Sequence, residues 1–318
     1  MQSIHPELSA LYANIARVIV GKEESTLLAI VALLCRGHLL LEDVPGVGKT
    51  MLGRALARSL DLEFHRLQCT PDLLPADVTG VSVFDQRSST FEFVPGPVFT
   101  NLLLADEINR TTPRTQSALL ECMAEGQVTV DGVTRPLPEV FMVVGTQNPV
   151  EFHGTYPLPE AQLDRFFMRI TMGYPGEDEE VEIMSMQTHH HPIEDLRPVL
   201  SLDRLLALQE AVTEVAMDDT VRRYAAAIVR ATREHPDVEL GASPRGSVAL
   251  MKAAQAVALM AGQDFATPAM VKEVAVPVLG HRIIVSHRAQ LVGKGGGDVV
   301  ESVLRRVPTP VLDAVPVA

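Results

Sequence analysis

The 318-residue chain contains no tryptophan and only three cysteines. None of its apolar runs approaches the ~18 residues that a membrane-spanning helix needs. Cys35, Cys69 and Cys122 are odd in number, widely spaced and set in apolar surroundings. That pattern excludes a disulfide framework or a zinc cluster and predicts packed, reduced thiols, as in a cytoplasmic protein. An excess of positive charge is also missing: 27 Lys and Arg stand against 40 Asp and Glu, a net charge of -13. Such a balance argues against a constitutive nucleic-acid binder, although it leaves room for a local basic patch. Met1 to Ala16 lacks the charged-then-apolar layout of a secretion signal, so none is expected. The missing tryptophan costs only a spectroscopic probe. What remains is a chain that is 47% hydrophobic, long enough for one large or two medium domains with a buried core.

One stretch organises the rest. Leu39-Leu40-Leu41 is an apolar run that ends in Glu42-Asp43-Val44-Pro45-Gly46-Val47-Gly48-Lys49-Thr50, and a helical pattern follows from Met51 to Leu60. Strand, glycine-rich turn and helix are the context of a phosphate-binding loop. The glycines let successive N–H groups turn inward, and the helix start adds its positive end. Lys49 would reach the β- and γ-phosphates of ATP or the phosphates of ADP, and the Thr50 hydroxyl would sit on Mg²⁺. Pro45, Gly46, Val47, Gly48 and Met51 complete the cradle. Asp43 occupies the first position of the pattern, where glycine is usual. Upstream, Arg17-Val18-Ile19-Val20-Gly21 interrupts two helical segments. Val20 and Gly21 are candidates for adenine contact; a plain helix–helix turn is the alternative.

A second apolar strand, Leu102-Leu103-Leu104-Ala105, delivers Asp106 and Glu107 at its C-terminal end, where open α/β sheets place their ligands. Asp106 would hold Mg²⁺ and Glu107 would polarise the attacking water. Val140 to Gly145 reads as another buried strand, and it ends in Thr146-Gln147-Asn148. Asn148, with Thr146 as the alternative, could orient the water or touch the γ-phosphate. Arg165 follows Asp164 at the end of a short helix. It is either the partner of Asp164 or a finger aimed at a neighbouring subunit's γ-phosphate. Arg245 follows Ser243-Pro244 in a first helical turn, where the helix dipole disfavours a cation; an anion beside it would explain the placement. Phe64 to Gln68 and Met168 to Met172 read as further strands. Hairpins are expected over Val81 to Phe99 and around Asp131-Gly132. His189-His190-His191 reads as a solvated helix end rather than a metal site, because three adjacent helical residues point in three directions.

Together these residues resemble the AAA+ ATPases and, within them, the MoxR family. The most specific segments are Val20-Gly21, Glu42 to Thr50, Thr70 to Asp77, Asp106 to Arg110, Gly126 to Pro138 and Thr146 to Phe166. The departures are modest: Phe152-His153 stand where the family carries more polar residues, and Cys69 where an aromatic residue is usual. The resemblance implies an α/β fold, an αβα nucleotide-binding core with a parallel five-stranded sheet and two inserted hairpins, followed by an all-α lid. Residues 1–175 would form the core, 176–292 the lid, and the glycine- and proline-bearing stretch 293–318 a mobile tail. Gly280-His281-Arg282-Ile283 would flank the base. The family assembles homo-oligomeric rings, usually hexamers, with ATP between subunits. By resemblance Asn148 is the sensor 1 residue, Arg165 the arginine finger and Arg245 the sensor 2 residue, in addition to catalytic Glu107. Family members act on protein clients, chaperone-like, often with a von Willebrand A domain partner and sometimes in metal-cofactor insertion. A magnesium-chelatase-like motor subunit and a DNA-associated motor are the alternatives. The acidic charge and the lack of an appended DNA-binding motif argue against the latter.

Overall fold

A computed structural model of the chain describes residues 5–148, 154–186 and 191–310. Two helices come first, α1 (Pro6–Ala16) and α2 (Glu23–Leu34), then β1 (Leu39–Glu42), the glycine loop and α3 (Lys49–Ser59). β2 (Phe64–Gln68) leads through the short α4 (Pro75–Thr79) into an antiparallel hairpin, β3 (Gly80–Asp85) and β4 (Thr90–Pro95). β5 (Leu102–Asp106) and α5 (Pro113–Glu125) precede a second hairpin, β6 (Gln127–Val130) and β7 (Val133–Pro136). β8 (Met142–Gln147), α6 (Glu160–Leu163) and β9 (Met168–Ile170) complete the core.

Five strands form one parallel sheet in the order β2-β5-β8-β1-β9. Their sequences are nearly continuous apolar runs because both faces of the sheet are covered. Alternation along each strand divides the core. Leu39, Leu41, Leu102, Leu104 and Val144 face α1, α2 and α3 in one apolar cluster that runs on into the lid. Leu40, Leu103, Ala105 and Val143 face α5 and the hairpin side in the other. Local chemistry sets the ends of α5: the Thr112 hydroxyl caps it by accepting from the Thr115 N–H, and Gly126 closes it at φ 62°. The Asp131-Gly132 turn has both residues at positive φ, 53° and 74°, as a two-residue hairpin turn requires.

The remaining elements are α7 (Glu177–Met186), α8 (Leu202–Glu214), α9 (Asp219–Arg233), β10 (Val238–Leu240), α10 (Pro244–Met260), α11 (Pro268–Leu279), β11 (Ile284–Val285), α12 (His287–Leu291) and α13 (Gly296–Arg306). The lid is helical, as expected, except for a small antiparallel ribbon that pairs Val238 with Val285. Three expectations need correction. The fifth strand stops at Ile170, because the N–H groups of Met172 and Gly173 turn away to the Asp43 carboxylate. Gly280 to Arg282, expected to flank the base, is engaged elsewhere. His281 and Arg282 are buried and bind core carbonyls instead: His281 Nε2 and Arg282 Nη2 both donate to Phe166 O, at 3.0 and 2.8 Å. The stretch from residue 293 is not a loose tail over its first part. α13 buries Val299, Val300 and Val303 against the lid. Gly296 serves close approach rather than freedom: a Cβ there would lie 2.0 Å from the Gly280 carbonyl oxygen. Residues 311–318 lie outside the described residues, as do Phe152, His153, His189 and His190. His191 caps the turn Pro192–Asp195 by accepting from the Ile193 N–H.

A side chain at position 296 should push α13 off the lid. Gly296→Val is expected to lower stability by about 1–3 kcal/mol, the usual range for overpacking, read as a shift in the urea midpoint. An unchanged midpoint would mean that this helix adds nothing to the fold.

Candidate functional site

Parallel register brings four strand ends together. Glu42 pairs with Gln147, Ala105 with Gly145, and Gln68 with Asp106. The glycine loop after β1 therefore opens beside the carboxylates after β5 and the polar residues after β8. Gly46 and Gly48 adopt φ 87° and 96°, a region closed to most side chains, and Gly48 is the cap of α3. Lys49 starts that helix, is buried, and donates from Nζ to the Asp43 carbonyl at 2.7 Å. Burial lowers its pKa, while Asp43, Asp106 and Glu107 oppose that shift.

The departure at Asp43 has a structural explanation. Its buried carboxylate accepts from Val44 N at 2.9 Å through Oδ1, and from Met172 N and Gly173 N at 2.7 and 2.6 Å through Oδ2. Asp43 thus ties the start of the phosphate loop to the chain that leaves β9 towards the lid. Glycine, the usual residue, could not do this.

The acidic pair is set by a single hydroxyl. Thr146 is fully buried and donates from Oγ1 to Asp106 Oδ1 at 2.7 Å, while it accepts from the Glu107 N–H at 2.8 Å. Thr146, the alternative to Asn148, is thereby committed to the Asp106 carboxylate and the Glu107 backbone. Glu107 sits at φ 58°, a left-handed conformation rare for a side-chain-bearing residue and frequent at active sites. Its Oε2 accepts from Gln68 Nε2 at 3.1 Å and from Arg110 Nη1 at 3.0 Å. Arg66 donates to Asp106 Oδ2 from Nη2 at 2.6 Å.

The expected residues divide between separate clefts. One, of about 350 Å³, has Pro45, Gly46, Gly48, Lys49, Thr50 and Met51 on one wall and Asp106, Glu107, Asn148 and Arg66 on the other. An adjoining apolar pocket of about 180 Å³ shares Gly46, Gly48 and Met51 with it and adds Val20, Val47 and Met172. It suits a flat base beside a phosphate chain. Gly21 stands at φ 68° under the Glu179 carboxylate, whose carbon would lie 1.9 Å from any Cβ at position 21. Arg165 and Arg245 line neither pocket. They meet in a third cleft of about 530 Å³, with Arg36, Lys252 and Arg282.

Arg165 is not the partner of Asp164; its Nη1 donates to the Leu120 carbonyl at 2.7 Å. Asp164 instead accepts from Arg282 Nε at 2.8 Å, with Arg245 Nη1 at 3.9 Å. Ser243 caps α10 as expected, and the Arg245 side chain is 75% exposed. Sequence reasoning missed Arg66 and Gln68, and it gave Arg282 a different part. The first two carry a usable signal: they alternate around buried Leu67 on a strand that pairs with β5.

Two hard oxygen donors, the Thr50 hydroxyl and the Asp106 carboxylate, line one cleft with a second carboxylate. That set fits Mg²⁺, which takes one or two protein oxygens beside phosphate and water. A phosphate chain on the loop N–H groups and Lys49, with Glu107 across the cleft, is an arrangement suited to phosphoryl hydrolysis.

If Asp43 carries the loop as described, Asp43→Ala leaves three N–H groups without their acceptor. The expected loss is about 2–3 kcal/mol of stability together with weakened nucleotide binding, measured by urea unfolding and by titration with a fluorescent nucleotide. Asp43→Asn, which keeps one oxygen acceptor, should lose less; an indifferent Asp43→Ala would exclude the tie.

Comparison with known proteins agrees with this geometry. The model of the ATPase family associated with various cellular activities matches residues 38–168, and an AAA lid domain model matches residues 230–303. The protein YeaC of Bacillus subtilis is 51% identical over 98% of this chain and 97% of its own. Chaperone MoxR1 of Mycobacterium tuberculosis is 40% identical over 95% of this chain and 82% of its own. The crystal structure of a candidate ATPase from Cytophaga hutchinsonii superposes with a TM-score of 0.89 at 37% identity, over 96% of this chain and 95% of that one. By the identity and coverage of these relatives, and by the nucleotide-binding architecture they share with it, the chain belongs to the MoxR family of AAA+ ATPases.

Proposed function

We propose that the protein is a Mg²⁺-dependent ATPase whose active site is completed between two copies of the chain, and that it uses hydrolysis to remodel a protein client. The observation that carries this reading is the division of the cationic groups. Lys49 lies with Asp106 and Glu107 in the 350 Å³ cleft, whereas Arg165 and Arg245 share a different one. A phosphate held on Lys49 can meet those two arginines if they come from a neighbour, as in a ring.

In this reading the loop N–H groups and Lys49 bind the phosphates. Val20, Gly21, Val47 and Met51 enclose the base. Thr50 and Asp106 hold Mg²⁺, which when bound neutralises phosphate charge. Glu107 accepts a proton from the attacking water, kept in place by the Thr146 hydroxyl behind its N–H. Asn148 orients that water. Arg165 from the neighbour stabilises charge on the γ-phosphate, and Arg245 couples the neighbour's lid to the nucleotide. The ring is a hexamer. Residues 1–175 act as the core and the lid begins at 176. The chaperone role rests on likeness to the protein named Chaperone MoxR1, and a von Willebrand A domain partner and metal-cofactor insertion rest on family resemblance alone. Among the described residues no helix is long and apolar enough to cross a membrane; a cytoplasmic location is part of the proposal.

Glu107→Gln should keep ATP binding and lower turnover by about 10²–10⁴-fold, the usual share of a general base. Unchanged turnover would remove Glu107 from that role. Completion in trans is tested by mixing. Lys49→Ala and Arg165→Ala are each expected to be inactive alone, whereas a mixture regains turnover where an intact Lys49 meets an intact Arg165. A mixture as inactive as its parts, with assembly preserved, would leave a site built within one chain.

A further inference from the structure

The end of β2 carries Arg66 and Gln68 on either side of Leu67, which is buried in the core. Register places Gln68 directly beside Asp106. Arg66 approaches one oxygen of Asp106 twice, donating to Oδ2 from Nη2 at 2.6 Å and from Nε at 3.2 Å. Nη2 also donates to Gln68 Oε1 at 2.8 Å, and Gln68 Nε2 donates to Glu107 Oε2 at 3.1 Å. The two carboxylates of the cleft are therefore joined through Arg66 and Gln68 into one chain of hydrogen bonds.

The two oxygens of Asp106 are held differently. Oδ1 accepts from the Thr146 hydroxyl at 2.7 Å, inside the protein, where Thr146 is fully buried. Oδ2 faces the guanidinium of Arg66, a side chain that is 51% exposed and lines the cleft with Lys49 and Thr50. A cation that coordinates Asp106 through Oδ2 then shares that oxygen with a positive charge. A guanidinium and a divalent ion on the same oxygen repel each other, and the repulsion is stronger here than in open water. Lys49 adds a second fixed charge in the same cleft but donates to the Asp43 carbonyl, not to Asp106.

We propose that Arg66 is a positioning residue of this site that holds Asp106 Oδ2 and competes with Mg²⁺ for it, so that Arg66 sets how much Mg²⁺ the protein needs. The proposal rests on the ATPase reading and assigns a determinant of its metal requirement. An ordinary surface ion pair would leave metal binding alone. A competing one would weaken it, and removal of Arg66 would strengthen it. Damage to the cleft does not produce a gain in metal affinity, so the direction of the effect separates the two.

The test uses the full chain and a fluorescent ADP analogue, which is not hydrolysed. Binding is followed as Mg²⁺ is added from a chelator-buffered zero, and the midpoint in free Mg²⁺ is read. Arg66→Ala is expected to lower the midpoint about two- to fivefold, as loss of one partly exposed charge pair would allow. Arg66→Lys keeps the charge without the fork and should fall between that variant and the unaltered protein; it carries the test if the alanine variant does not fold. A midpoint unchanged or raised in the folded variants overturns the role of Arg66 and leaves the ATPase reading intact. Failure of the unaltered chain to bind the nucleotide at any Mg²⁺ concentration overturns both.

Discussion

Parallel pairing of β5 with β2 on one side and β8 on the other decides what Asp106 and Glu107 can touch. Because the strands run together and end together, their exits present β2, β5, β8 and β1 residues to one cleft. A shift of one residue would turn Asp106 into the sheet and replace the Thr146 contact with a buried, unpartnered carboxylate. The apolar alternation behind the strand ends, Leu39 and Leu41 to one side and Leu40 to the other, holds that register. The chemistry at the rim is thus held in place by burial some distance beneath it.

Charge follows a related logic. The chain is acidic as a whole, with a net charge of -13, yet several of its cations cluster in two clefts. Lys49 and Arg66 stand among the carboxylates of the phosphate-loop cleft, where each faces an oxygen. Arg36, Arg165, Arg245 and Lys252 line the other cleft, and there Asp164 is already bound to Arg282. Arg282 and His281 are buried between lid and core. Burial and the adjacent Arg282 charge hold His281 well below its ordinary pKa, so it is neutral as it donates to the Phe166 carbonyl. The lid is fastened to the core both by these polar contacts to backbone carbonyls and by the apolar cluster that the two share, while α13 packs within the lid.

Asp43 shows why a departure from a motif need not weaken it. At the first position of the loop an aspartate looks like a lost glycine. In three dimensions its carboxylate collects the N–H groups of Met172 and Gly173, residues far away in the sequence. The phosphate loop and the exit towards the lid therefore share one anchor.

Features that depend on neighbours along the chain were legible without a structure. The glycine loop before Lys49, the apolar strand that delivers Asp106 and Glu107, the Asp131-Gly132 turn and the Thr112 and Ser243 caps all rest on φ preferences, alternation or a hydrogen bond spanning a few residues. The family likeness rested on the same local runs. Only tertiary structure decided that Thr146 holds the Asp106 carboxylate and the Glu107 N–H, that Arg66 and Gln68 join the two carboxylates, that Arg165 leaves Asp164 to Arg282, and that Arg165 and Arg245 lie away from Lys49. It also turned the glycines at 295–297 from a loose linker into a helix start, close-packed at Gly296. Each of these depends on which groups from distant segments come within about 3 Å of one another, the range of a hydrogen bond. Local preference carries no information about that; it is set by the packing of the sheet and the lid.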